Sequence, residues 1–138
     1  MTAQQEPRTV LFVCVSNAGK SLMAQVLAKR IIGERITALS AGTDAKTEIN
    51  LVSASAHTPI QLNHRLVDDA DLIVVLGNDA QVNDPTGTPI ERWQTEEPSR
   101  RGIDGDDRMR IIRDDIAVRV TELGERLNRR WWGAPEST

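Results

Sequence analysis

Residues 10–15, VLFVCV, form a short apolar run bounded by polar residues on both sides. Branched and aromatic residues in an unbroken run predict a strand buried on both faces, the habit of a parallel sheet covered by helices. The small polar stretch SNAGKS follows, and then Leu22, Met23, Val26, Leu27 and Ile31 recur at helical spacing until Gly33. A second strand is expected over 36–40, closed by Ala41-Gly42-Thr43, and a third buried strand over 71–77, DLIVVLG, closed by the turn signal Gly77-Asn78-Asp79. Residues 90–93 predict a short fourth strand, with loops at 83–87 and 94–104 around it.

The last helix is the clearest element. Ile112, Ile116, Val120, Leu123 and Leu127 step by three and four, while Asp114, Asp115, Arg119, Glu122 and Arg126 occupy the other face. The pattern is weakest over 44–69. Asn50-Leu51-Val52 opens a possible short helix, Pro59 interrupts it, and Leu62, Leu66 and Val67 suggest another helical turn before Asp68-Asp69. Strands separated by helical patterns predict an α/β protein, a three-layer α/β/α arrangement with a small parallel sheet. A chain of 138 residues fits one domain, expected over 9–130, with a flexible terminus at 1–8 and a C-terminal tail at 131–138.

Apolar residues at 39% and charged residues at 27% are the balance of a folded globular chain. The net charge of -3 and the 3% of aromatics argue against a nucleic-acid partner, which would need a positive field and stacking rings. The alternating charges of the last helix read as a solvated face. No apolar run is long enough for a membrane partner or a secretory segment, so a cytoplasmic location is expected. Cys14 is the one cysteine, which excludes an internal disulfide and a cysteine-built metal site. With only His57 and His64 besides, neither a metal nor a bound cofactor is expected. Both histidines read as surface or helix-cap residues.

Cys14 closes the first strand and precedes a loop of small residues that leads into a helix. That is where α/β sheets bind ligands. The N–H groups of Val15, Ser16, Asn17, Ala18, Gly19 and Lys20 would converge on an oxyanion, and the same field favours the Cys14 thiolate. Lys20 adds a positive charge, and Ser21 is within reach of the sulfur. Two other readings fit fewer residues. A lone cysteine in an apolar run is commonly a core residue. Residues 14–21 also satisfy GxxxxGKS except at its first glycine, where Cys14 stands, but the third strand begins with Asp71 rather than ending in a metal-holding carboxylate.

Cys14, Asn17 and Ser21, preceded by VLFV and followed by Leu22-Met23-Ala24, resemble the signature of the low-molecular-weight protein tyrosine phosphatases and their arsenate reductase relatives. Residues 40–43, SAGT, and the strand at 71–77 extend the likeness. Position 20 departs from it, with Lys where the family has Arg. Lysine lacks the planar fork that grips two oxygens. Gln25 stands where some arsenate reductases have Glu, and residues 44–70 are short for the family. Residues 93–105, 108–110 and 113–116 are most similar to actinobacterial arsenate–mycothiol transferases.

The resemblance implies a phosphotyrosine phosphatase I-like fold and a set of roles. Cys14 is the expected nucleophile on arsenate or a phosphate-like oxyanion, aided by Lys20 and Ser21. Glu97, before Pro98, matches the general acid, with Asp84 before Pro85 as second choice. The implied reaction is arsenate reduction with mycothiol as thiol co-substrate and mycoredoxin as the partner that completes it. The alternatives are phosphate-ester hydrolysis through phosphocysteine, and oxyanion binding without turnover. Trp93 is expected to pack in the core. Trp131 and Trp132 are expected to cover an apolar patch or to serve self-association, with a cation–π role disfavoured.

Overall fold

The two unbroken apolar runs become β1 (Arg8–Cys14) and β3 (Leu72–Leu76), and both lie inside the sheet. Residues 7–15, 17, 19–45, 59–82, 87–95, 102 and 105–131 are described by this computed structural model. The strand order is β2-β1-β3-β4, with β2 at Ile36–Gly42, β4 at Ile90–Trp93 and every pairing parallel. Arg8 to Cys14 pair with Ile36 to Gly42, Val10 to Val13 with Leu72 to Val75, and Ile73 to Leu76 with Ile90 to Trp93. The edge strands show why they read less clearly than the inner ones. In β4 only Trp93 is buried, and β2 exposes Thr37.

Helices cover both faces of the sheet, giving three layers. On one face, α1 (Lys20–Ile31) and α3 (Gly105–Arg130) pack over Val10, Phe12, Val74, Leu76 and Trp93. On the other, α2 (His64–Asp69) contributes Val67 against Leu11, Val13, Ile73 and Val75. Asn63 caps α2 by accepting from the Leu66 N–H at 3.0 Å. The expected turn at 62–67 is therefore formed, whereas the one at Asn50 lies outside the described residues. Trp93 packs against Phe12 with ring centroids 6.0 Å apart.

α3 buries the five residues of its predicted stripe, Ile112, Ile116, Val120, Leu123 and Leu127. α1 departs from expectation. Its fully buried residues are Ser21, Ala24 and Ala28, while Val26 and Ile31 are 46% and 42% exposed. The reason is its position: α1 packs on both the sheet and α3, and small side chains let its backbone approach the two together. Gly33 ends it as expected, with a left-handed φ of 82° that opens a 3-10 turn at Gly33–Arg35.

β4 is tied to α3 by a bidentate ion pair. Arg126 Nη1 and Nη2 reach Glu91 Oε1 and Oε2 at 3.0 and 2.7 Å, and Trp93 Nε1 donates to Oε2 at 2.5 Å. The Arg126 hydrogen bonds hold the Glu91 carboxyl below its ordinary range, against the opposing effect of burial. At the end of α3, Trp131 packs against the core and takes the Arg8 guanidinium at 5.3 Å from its ring centroid. Trp131 thus covers an apolar patch, as expected, and the cation–π role that was disfavoured is also found, joining the start of β1 to the end of α3. Among the described residues, no helix is long and apolar enough to cross a membrane.

Candidate active site

The strand order reverses at β1, which has β2 on one side and β3 on the other. Ligands of open α/β sheets bind at the carboxyl ends of strands beside such a reversal. Cys14 is the last residue of β1, and the chain beyond it is held in place by the end of β2. Thr43 N–H donates to Cys14 O at 3.0 Å and Asp44 N–H to Val15 O at 2.8 Å.

Asn17 then takes a left-handed φ of 55°, a conformation that asparagine tolerates better than most residues. The Asn17 backbone N–H is thereby turned toward Cys14 Sγ, at 3.3 Å. Ser21, in the first turn of α1, places Oγ 2.9 Å from the same sulfur. The Asn17 side chain completes the cluster: Nδ2 donates to Ser21 Oγ at 2.9 Å, and Oδ1 accepts the Ile60 N–H at 2.8 Å.

The Ile60 N–H holds Asn17 Oδ1, so Nδ2 faces Ser21. Ser21 Oγ accepts from Nδ2 and lies within hydrogen-bond reach of Sγ; toward a thiolate, which cannot donate, the Ser21 hydroxyl is the donor. A Cys14 thiolate would be met by two donors, the Asn17 N–H and the Ser21 hydroxyl. Asn17 and Ser21 have no exposed surface and Cys14 only 7%, so water competes little for these bonds.

The start of α1 adds a positive end. Gly19 precedes it without a side-chain cap, and its first turn holds no acidic residue. The first N–H groups of a helix are orphan donors and attract an anion. A Cβ placed on Gly19 would meet nothing within 4 Å among the described residues. Lys20 is the first residue of α1 and is half-buried, as is Val15 on the other side of the loop. Gln25 forms a neutral clasp between α1 and β2. Ser40 Oγ donates to Gln25 Oε1 at 2.6 Å, and Gln25 Nε2 donates to Ala38 O at 2.9 Å.

Of the residues singled out in the sequence, the structure brings Cys14, Asn17 and Ser21 together and sets Val15, Gly19 and Lys20 beside them. Ser16, Ala18, Glu97, Asp84, His57 and Trp132 lie outside the described residues. His64 is exposed at the start of α2. The Ile60 N–H is a functional group that the sequence did not disclose, since a main-chain donor carries no residue signature.

The family described as low molecular weight phosphotyrosine protein phosphatase matches residues 9–131. Arsenate reductase 1 of Staphylococcus haemolyticus is 30% identical over 135 residues, 88% of this chain and 98% of its own length. Among solved structures, arsenate reductase from Archaeoglobus fulgidus is 28% identical with a TM-score of 0.67, over 84% of this chain and 98% of that one. The thioredoxin-dependent arsenate reductase of Corynebacterium glutamicum shares the fold, with a TM-score of 0.70 at 22% identity. That match covers 93% of this chain but spans 65% of the corynebacterial protein's length.

Proposed function

Since the chain belongs to the low molecular weight phosphotyrosine protein phosphatase family, cysteine-based chemistry of the arsenate reductase and phosphatase kind is its premise, and we propose that it reduces arsenate with an external thiol. The observation that carries the reading is a single cysteine, at the carboxyl end of β1, with Ser21 Oγ at 2.9 Å and no second cysteine in the sequence. Relatives similar along most of the chain bear the name arsenate reductase, which supports arsenate as the oxyanion.

In the proposed reaction the Cys14 thiolate attacks arsenic. An S–As bond forms and one As–O bond breaks, releasing water after the leaving oxygen takes a proton from Glu97. The N–H groups of residues 15–20, with the Lys20 ammonium, hold the remaining oxygens. Arsenic stays pentavalent in this adduct. Reduction needs a thiol to attack sulfur, forming a disulfide while the S–As electron pair remains on arsenic. This chain cannot supply that thiol, because Cys14 is already used. Mycothiol therefore displaces Cys14 from arsenic, and a thiolate of mycoredoxin attacks the mycothiol sulfur and releases arsenite. The likeness of residues 93–116 to arsenate–mycothiol transferases supports this choice of thiol.

A second reading is favoured by the same cysteine count. Hydrolysis of a phosphate ester through phosphocysteine needs one thiol and water, and the family description names that activity. Lys20 in place of arginine leans against it, since the planar two-oxygen grip is missing. The test is arsenate turnover with mycothiol and mycoredoxin beside hydrolysis of an aryl phosphate. Activity in the first alone supports the transferase. Activity in the second alone replaces it with the phosphatase, and activity in neither leaves an oxyanion-binding protein. Glu97→Gln is expected to slow the arsenate step at every pH, and an unchanged profile would move the acid role to Asp84 or to solvent.

A further inference from the structure

The segment 60–62 is bound to the turn 42–45 more firmly than its exposure suggests. Its main chain makes two bonds to Gly42: Gly42 N–H to Ile60 O and Leu62 N–H to Gly42 O, both at 2.8 Å. The Gln61 side chain adds two more. Its Oε1 accepts the Ala45 N–H at 2.9 Å, and its Nε2 donates to Thr43 O at 2.9 Å. An exposed glutamine ordinarily leaves its amide to water, yet here both ends pair with one turn, as a neighbouring strand would.

Both partners of this junction bind the loop that carries Cys14. The turn holds the carbonyls of Cys14 and Val15 through Thr43 and Asp44. The segment holds Asn17 Oδ1 through the Ile60 N–H. We infer that Gln61 is a positioning residue for Cys14, acting through the Ile60 N–H on the Asn17 amide. If Ile60 withdraws, the Asn17 amide can turn over and present Oδ1 to Ser21. The Ser21 hydrogen then goes to Asn17, and the sulfur loses one of its two donors. Gln61 thus decides where the Ser21 hydrogen points, from a position outside the reacting atoms. The inference rests on thiolate chemistry at Cys14 but not on the identity of the substrate.

Alkylation by iodoacetamide tests it without arsenate, ester or thiol partner, and Cys14 is the one residue of its kind to react. Gln61→Met keeps the side chain's length and removes its polar atoms. It is expected to slow alkylation at pH 7 by about three- to tenfold with little change in thermal midpoint, since a donor to a thiolate is lost. Asn17→Gly removes the amide and keeps the left-handed backbone without strain. In that background, Gln61→Met is expected to have no further effect. Ile60→Pro, which deletes the N–H itself, is expected to match Gln61→Met. An unchanged alkylation rate in Gln61→Met would overturn the inference. So would an equal slowing with and without the Asn17 amide, which would place Gln61's effect on the backbone alone. A protein that shows this coupling but turns over no arsenate keeps the inference and loses the proposed function.

Discussion

Two polar clusters, one at the carboxyl end of β1 and one between β4 and α3, are built on opposite principles. Cys14, Asn17 and Ser21 are buried and joined by hydrogen bonds between neutral side chains and main-chain N–H groups. Glu91, Trp93 and Arg126 use full charges, and the Glu91 and Arg126 side chains are 26% and 47% exposed. The first cluster sets the Asn17 N–H and the Ser21 hydroxyl against one sulfur and keeps water away from it. The second joins an edge strand to the helix above it, where a partly solvated pair is worth little but holds geometry. The contrast teaches that a charge arriving during a reaction is best met by fixed neutral dipoles, whereas a permanent charge is best left near water.

Substitutions separate the two clusters by what each one disturbs. Cys14→Ser should lower turnover by at least about a thousandfold while leaving oxyanion binding measurable, because the nucleophile alone is lost. Retained turnover in steady-state assays would end the nucleophile assignment. Ser21→Ala should slow turnover by about tenfold, since the sulfur loses a donor and Asn17 Nδ2 its acceptor. Equal rates would show that the hydroxyl contributes nothing to reactivity.

Glu91→Gln belongs to the other cluster and should leave turnover unchanged while reducing stability by about 1 kcal/mol in urea unfolding. Its pH dependence follows from the lowered folded-state value of Glu91. A carboxyl with a depressed native pKa contributes stability that is present above its unfolded value, about 4.3, and lost as pH falls through the folded value. The gap between wild type and Glu91→Gln should therefore close on acidification. A gap that stays constant at low pH would mean that the pair is not the source. Arg8→Ala should have the smallest effect, about 0.5 kcal/mol from the contact with Trp131. A loss no larger than that of an exposed alanine control would remove this contact from the stabilising set.

The parts legible in the sequence were those in which large apolar side chains mark the buried face. α3 buries Ile112, Ile116, Val120, Leu123 and Leu127, which stand out against charged neighbours. α1 is packed on two sides, and Ala24 and Ala28 carry too little hydropathy to mark the face they bury. The pairing of Cys14 with Ser21 could be anticipated because a tight loop brings positions seven apart back together. The link from Asn17 to Ile60 spans 43 positions and ends on a main-chain N–H, so no side-chain pattern announces it. The cation–π contact of Trp131 was not legible for a related reason: its partner, Arg8, lies at the far end of the sequence.

The place of β1 has a consequence for a chain made from its amino terminus. β1 is both the first of the described strands in chain order and an inner strand of the sheet. It pairs with β2 on one side, then β3 joins on the other and β4 adds to β3, so each arrival finds its neighbour already made. The helical cover is less orderly. Val10, Phe12, Val74, Leu76 and Trp93 share one apolar face with α3, the last of the described elements in chain order. A nascent chain that stalls before residue 105 carries that face with α1 as its only helical cover among the described elements, and it is then a target for chaperones or for aggregation.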